Sequence, residues 1–288
     1  MATAIRPGVG PFTQRTPRVV AARRLRRRRE RDQSRRFLAE GPRAVREALA
    51  VPGAVLELFG TPEGLQRHAE LAAAAGRAGV PVSPVTEDGL AALAETVTPQ
   101  GVVAVCAHLD VSLADALARA PRLVAVIAEI RDPGNAGTVL RTADAAGAGA
   151  VVFAGEAVDP YNGKCVRASA GSLFHLDVVR SPDPGADVAA LRGAGLRVLA
   201  ATGHGDTDLD ALADGSLAGP TAWLFGSEAH GLPPELLAAA DARVRVPIHG
   251  RAESLNLAAA AAICLYASAR AQAQRPGAAD EQSRERPA

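Results

Sequence analysis

The chain has 288 residues, 48% of them hydrophobic but only 3% aromatic, with a formal net charge of +1. That length allows one large or two modest domains, each with its own core. No run approaches the roughly 20 uninterrupted apolar residues that span a bilayer, and no apolar segment follows the N-terminal charges as a secretory signal requires. Cys106, Cys165 and Cys264 lack CxxC or metal-ligand spacing, and the six histidines form no HxxxH pair. The expectation is a cytoplasmic α/β protein with an Ala-rich interior, reduced thiols, and neither membrane nor metal as partner.

The charge is unevenly placed. Residues 1–36 hold twelve arginines against Glu30 and Asp32, a balance of +10, so the remaining 252 residues sum to −9. Residues 1–20, rich in Pro, Gly and Thr, read as disordered. The run RRLRRRRERDQSRR (23–36) reads either as a solvated tail or as an arm for phosphate backbones. Residues 1–36 are therefore expected to be a basic disordered arm.

From FLAEGPRAVREALA (37–50) a compact unit begins, with a Gly-Pro turn opening a helix that places Val45, Ala48 and Leu49 on one face. A strand at 54–60, a helix at 62–79, a strand at 80–85, a small helix and a strand at 101–107 complete a small α/β domain over 37–107. Residues 108–122 read as a linker with a helical connection. A second series then runs over 123–273. Its strands are expected at 123–130, 150–155, 196–202, 221–228 and 243–248, and its helices at 132–147, 164–174 and 254–273. Strands alternating with helices imply a parallel sheet covered on both faces. The end, 274–288, reads as a disordered tail.

Glycines invite a dinucleotide reading, which the order of elements opposes. GAGAVVFAGE (147–156) follows a helix and leads into a strand, the reverse of the strand–Gly–helix order that cradles a pyrophosphate. GHGD (203–206) follows a strand but lacks a third glycine.

Three segments remain that carry chemistry. EIRDPGNAGTVLRTAD (129–144) contains Asn135 and Arg141; LFGSEAHGLP (224–233) contains Gly226, Glu228 and Gly231; VPIHGRAESLN (246–256) contains Ser254 and Asn256. Each has a plain structural reading. Asn135 and Ser254 are candidate helix caps, Arg141 has Asp144 at i,i+3, and the glycines suit turns.

Together the three segments resemble the signature motifs of the SpoU/TrmH family of RNA ribose 2′-O-methyltransferases, in the SPOUT superfamily. The resemblance covers about 123–273 and includes YNGKCVRASAGSLF (161–174). Upstream, RRFLAEGPRAVREAL and TPQGVVAVC are similar to the substrate-binding domain that often precedes this catalytic domain. The resemblance implies a small N-terminal α/β RNA-binding domain followed by a SPOUT α/β catalytic domain whose C-terminal part forms a trefoil knot. It implies S-adenosylmethionine (SAM) held by Gly226, Val246 and Leu255, with support from Thr202, Ile248 and Ser254. Val246 stands where most relatives have Ile, a mild departure.

By the same resemblance Arg141 is the catalytic arginine, commonly presented by the partner subunit of a homodimer. Asn135 and Asn256 position arginine and RNA, Ser254 helps hold ribose or cofactor, and Glu228 fixes Arg141 across the interface. RNA contacts are expected at Arg167, at Arg26, Arg27 and Arg28 of the basic run, and at Arg43. The separate N-terminal domain favours rRNA over tRNA as the substrate. A tRNA 2′-O-methyltransferase, a non-catalytic ribosome-assembly factor and a base methyltransferase are the rival readings.

Overall fold

The computed structural model describes residues 10–212 and 215–274, which divide into two compact units. The first holds residues up to Leu109 together with Asp159–His175, and the second holds Asp110–Val158 and everything from Leu176 on.

In chain order the first unit contains α1 (Pro17–Arg24), α2 (Arg28–Ser34), β1 (Arg36–Glu40), α3 (Pro42–Ala50), β2 (Val55–Gly60), α4 (Pro62–Arg67), α5 (Ala69–Arg77), β3 (Val82–Pro84), α6 (Glu87–Leu93) and β4 (Val102–Ala107). The second opens with α7 (Leu113–Ala118), β5 (Leu123–Ala128), α8 (Pro133–Ala145) and β6 (Ala150–Ala154). The chain then returns to the first unit for α9 (Gly163–Ser169) and a 3-10 turn, Ser172–Phe174. It resumes in the second with β7 (Asp177–Ser181), α10 (Pro184–Gly193), β8 (Arg197–Ala201), β9 (Thr207–Asp208), β10 (Thr221–Phe225), α11 (Pro234–Ala239), β11 (Ala242–Arg245) and α12 (Leu257–Ala273).

The first unit is built on a four-stranded mixed sheet, order β1-β4-β2-β3. One face packs Phe59, Val103 and Val105 against Val19, Ala22 and Leu25 of the arm and Leu90 and Leu93 of α6. The alternation of side chains along β1 sends Phe37 to the opposite face, where its ring lies 4.7 Å from that of Tyr161 and 6.1 Å from that of Phe174.

The described part of the basic arm, residues 10–36, is thus folded where disorder was expected. Three apolar residues hidden among its charges reach the core, and Phe12 donates its N–H to the Pro84 carbonyl. Arg31 is 3% exposed. Its Nε and Nη2 lie 2.8 and 2.6 Å from Oδ2 of Asp159, and its Nη1 donates to the Leu25 and Arg26 carbonyls at 3.0 Å. Residues 1–9 and 275–288, where disorder was also expected, lie outside the described residues.

Three further boundaries move. The expected single helix over 62–79 is broken at His68 into α4 and α5. The expected linker at 108–122 belongs mostly to the second unit, where Val111 bridges to Val179 and α7 packs against β7. The expected continuous catalytic domain is interrupted, because Tyr161, Val166 and Phe174 bury their apolar surface in the first unit.

The second unit carries a seven-stranded, wholly parallel sheet, order β7-β6-β5-β10-β8-β11-β9. Val124, Val126, Ala128, Val198 and Leu224 face a core completed by Ala116 of α7, Val188 and Leu191 of α10 and Leu236 of α11. The alternate residues support α8 and α12, and Trp223, wholly buried, donates its Nε1–H to Ser268 Oγ at 2.9 Å. Burial on both faces explains why β5, β6 and β10 read as unbroken apolar runs. Cys106, Cys165 and Cys264 are all free and buried. Burial pushes the Cys264 thiol up to about 12 and that of Cys106 higher still, which leaves both without reactive thiolate. Among the described residues, no helix is long and apolar enough to cross a membrane.

Candidate active site

In open parallel sheets, ligands sit beyond the carboxyl ends of the strands. In the second unit the segments leaving β5, β8, β10 and β11 at those ends hold the residues singled out in the sequence. β5 and β10 are neighbours in the sheet, and so are β10 and β8, and β8 and β11.

The segment after β5 turns through Glu129, whose φ of 58° is in the left-handed region, and enters α8. Asp132 caps that helix by accepting the Asn135 N–H at 2.8 Å, with Pro133 in the first turn. Ala136, Gly137, Leu140 and Ala143 are buried, and the small size of Ala136, Gly137 and Ala143 lets α8 and α12 pack closely. Asn135 is half-buried, and Arg141, exposed, follows six residues later, about 9 Å along the axis at 1.5 Å per residue. Arg141 makes no hydrogen bond or ion pair among the described residues.

Asn135 joins the three motifs. Its Nδ2 donates to Glu228 Oε1 at 2.8 Å, in the segment after β10, and its Oδ1 accepts from Asn256 Nδ2 at 3.3 Å. Asn256 Oδ1 in turn accepts the Ala258 N–H at 2.9 Å and so caps α12. The helix expected from Ser254 therefore starts at Leu257. Asn256 holds the capping position, and Ser254 stands exposed before it. Glu228, expected to act on Arg141 across an interface, is bound within its own chain to Asn135.

The cofactor candidates fall on neighbouring strand ends. Thr202 follows β8 directly and donates its N–H to the Val244 carbonyl at 2.9 Å. Gly226 follows β10, is buried, and lies under a turn closed by reciprocal Ser227–Gly231 backbone bonds. A Cβ there would stand 2.2–2.4 Å from backbone atoms of Gly231 and Leu232. Val246 is half-buried after β11, while Ile248 and Leu255 are 39% and 37% exposed. Ile248 and Leu255 are large apolar side chains held open to solvent, as suits contact with a flat, partly apolar ligand such as an adenosine. Among the described residues no cluster of three His, Cys, Asp or Glu could hold a metal ion.

The expected RNA-contacting residues belong to the first unit. Arg26, Arg27, Arg28 and Arg43 are exposed, with Arg28 3.6 Å from Asp32. Arg167 is half-buried and already engaged, 3.4 Å from Glu40 and 3.1 Å from Glu95.

Two residues of structural weight went unread. A Cβ on Gly205 would strike the backbone of residues 243–245 within 2.6–2.7 Å, so this glycine ties the segment after β8 to β11. GHGD offered only the glycine as a signal. Asp132 was legible, since Asp-Pro is the ordinary entry of a capped helix.

The second unit therefore has the build of an α/β enzyme whose ligand sits in loops beyond its strand ends, preceded in the chain by a unit that carries exposed arginines. Residues 122–266 match the SpoU rRNA Methylase family, and residues 16–104 match the MRM3-like substrate binding domain. A 23S rRNA (guanosine(2553)-2′-O)-methyltransferase, RlmP, of Bacillus subtilis is 36% identical over 244 residues, 85% of this chain and 92% of that one. The chain belongs to the SpoU rRNA methylase family. Among solved structures, an AdoMet-bound rRNA methyltransferase from Sinorhizobium meliloti superposes with a TM-score of 0.78 at 32% identity, over 90% of this chain and 96% of that one. The SpoU methyltransferase AviRb from Streptomyces viridochromogenes, in complex with AdoMet, gives 0.79 at 31% identity, over 91% of this chain and all of that one.

Proposed function

We propose that the protein transfers a methyl group from SAM to a ribose 2′-hydroxyl of structured RNA, and that 23S-type rRNA is the substrate. The observation that carries this reading is the hydrogen-bonded set Glu228–Asn135–Asn256, which ties three motif segments together, with Arg141 on the same helix as Asn135 and without a partner among the described residues. SAM supplies an electrophilic methyl group when bound. Gly226, Val246 and Leu255 hold it, with Thr202, Ile248 and Ser254 beside them.

A ribose hydroxyl is a weak nucleophile and loses its proton as it attacks. A guanidinium does not take up a proton at neutral pH, so the hydroxyl proton leaves to water or to the neighbouring phosphate of the substrate. The guanidinium of Arg141 instead donates to the hydroxyl oxygen, aligns it with the methyl group and stabilises the charge that develops there. Asn135 and Asn256 hold the surrounding backbone so that this geometry is set before substrate arrives. The absence of a partner for Arg141 among the described residues favours its use in a second subunit's site. Ile263 and Tyr266, 42% and 52% exposed on α12, supply apolar surface for such a homodimer. The placement of β10 between β5 and β8, with the segment after β11 returning to Asn135, is in keeping with a knotted C-terminal path. An rRNA substrate is in keeping with a cytoplasmic protein.

Methyl transfer from radiolabelled SAM to unmodified 23S rRNA and tRNA transcripts, followed by alkaline hydrolysis, tests the reading. Label is expected in an alkali-resistant dinucleotide from 23S rRNA alone. Label confined to mononucleotides would mean base methylation, and label only from tRNA would overturn the substrate assignment. Gly226→Ala is expected to weaken SAM binding at least tenfold in calorimetry, since the new methyl group forces the Ser227–Gly231 turn outward. An unchanged affinity would remove that segment from the cofactor site.

A further inference from the structure

The first unit contains a crevice of about 270 Å³, lined by Gly41, Arg43, Thr96, Thr98, Gln100 and Arg167 among others. At about 30 Å³ per water it has room for roughly nine, the space of a nucleotide unit rather than of a structural water.

Its walls differ in how they are committed. Glu40, with a side chain 9% exposed, accepts from the Glu95 N–H at 3.0 Å and from the Thr96 hydroxyl, and pairs with Arg167 at 3.4 Å. This carboxylate fixes the segment after α6 and uses up the charge of Arg167. By contrast the side chains of Arg43, Thr98 and Gln100 make no hydrogen bond or ion pair with any described residue. Gly41, with φ +90°, brings the chain against Gln100, whose Oε1 would lie 2.8 Å from a Cβ there. The crevice is therefore held in shape by one set of polar groups, while a second set is left open to solvent.

We infer that this crevice binds one nucleotide of the RNA other than the one methylated, with its phosphate on Arg43 and its base edge on Gln100 and Thr98. The inference rests on reading the chain as an RNA-modifying protein. Among the described residues no aromatic ring lines the crevice, so the base is recognised by its hydrogen-bonding edge rather than by stacking. Because Glu40 has already ordered its own partners, the ordering cost of binding falls mainly on the side chains of Arg43 and Gln100.

The test uses the full chain and an unmodified 23S rRNA transcript, with binding measured over a series of salt concentrations. Arg77, exposed in the same unit, serves as a charge-matched control through Arg77→Ala. Arg43→Ala is expected to weaken binding about tenfold and to reduce the slope of log K against log salt by about 0.7–0.9. Gln100→Ala is expected to weaken it about fivefold with the slope unchanged, as for a lost neutral hydrogen bond. SAM affinity, read in the second unit, should not move in either variant. Binding by Gln100→Ala within twofold of the parent, or an Arg43→Ala effect no larger than that of Arg77→Ala, overturns the inference. So does a parent protein that does not bind the transcript. Transcript binding that responds to both variants, in a protein that transfers no methyl group, would sink the methylation reading and leave the crevice standing.

Discussion

Replacing Arg141 by alanine is expected to lower kcat for methyl transfer by about 10²–10³, the usual loss on removing one preorganised transition-state donor. SAM affinity should stay within twofold of the parent. Arg141 is exposed and has no hydrogen bond or ion pair among the described residues for the change to break, so stability should shift by less than about 0.5 kcal/mol. Arg141→Lys keeps the charge but loses the planar fork that can hold a phosphate and a hydroxyl at once, and should recover only part of the rate. A collapse of SAM binding in Arg141→Ala, or a rate close to the parent's, would sink the assigned role.

The same variant reports which subunit supplies the arginine. Mixed after unfolding together, Arg141→Ala and Gly226→Ala protomers would form a twofold dimer with one intact cofactor loop facing one intact arginine. Random pairing makes about half of the dimers mixed, and each of these has one working site. Activity should therefore return to about a quarter of the parent's if Arg141 acts in trans. It should stay at the background of the separate variants if Arg141 serves its own chain.

Arg31→Ala is expected to cost the first unit about 3–5 kcal/mol in urea unfolding, because Asp159 would be left buried without its counter-charge. The side chains of Arg31 and Asp159 are only 3% and 2% exposed, and the guanidinium also serves the Leu25 and Arg26 carbonyls. Pairing Arg31→Met with Asp159→Leu should recover most of that loss, since well-packed apolar substitutes often match a buried ion pair. By contrast Arg29→Ala, two residues away and exposed, should alter stability by no more than about 0.5 kcal/mol. Equal losses at Arg29 and Arg31 would contradict the buried pair.

That contrast also marks the limit of what was legible beforehand. Asn135, Glu228 and Asn256 lie in short linear motifs, and their convergence could be expected because each motif follows a parallel strand. Within RRLRRRRERDQSRR nothing in residue type separates Arg31 from its neighbours. Its inward direction depends on where α2 starts and on a partner 128 residues away. Leu25 hinted at an ordered arm, but one leucine among arginines is a weak period. β1 was missed because Arg36 and Gly41 leave only a few apolar residues between them, and β7 because DVVRS is short and polar at both ends. The break at His68 has neither Gly nor Pro to announce it. Residues 161–174 matched the family motif in its proper order, which said nothing about which core they would enter.

The return of Asp159–His175 to the first unit has a consequence for how the protein is made. Synthesis runs from the N-terminus, and domains tend to fold as soon as they are complete. When Leu109 has been polymerised, Phe37 still lacks Tyr161 and Phe174, and Arg31 still lacks Asp159. The first unit therefore waits while β5, α8 and β6 are translated, and closes only after His175 has emerged. A gene fragment ended at Leu109 should yield an aggregation-prone product, and clean dissection of the two units calls for rejoining 159–175 to the N-terminal piece through a short loop.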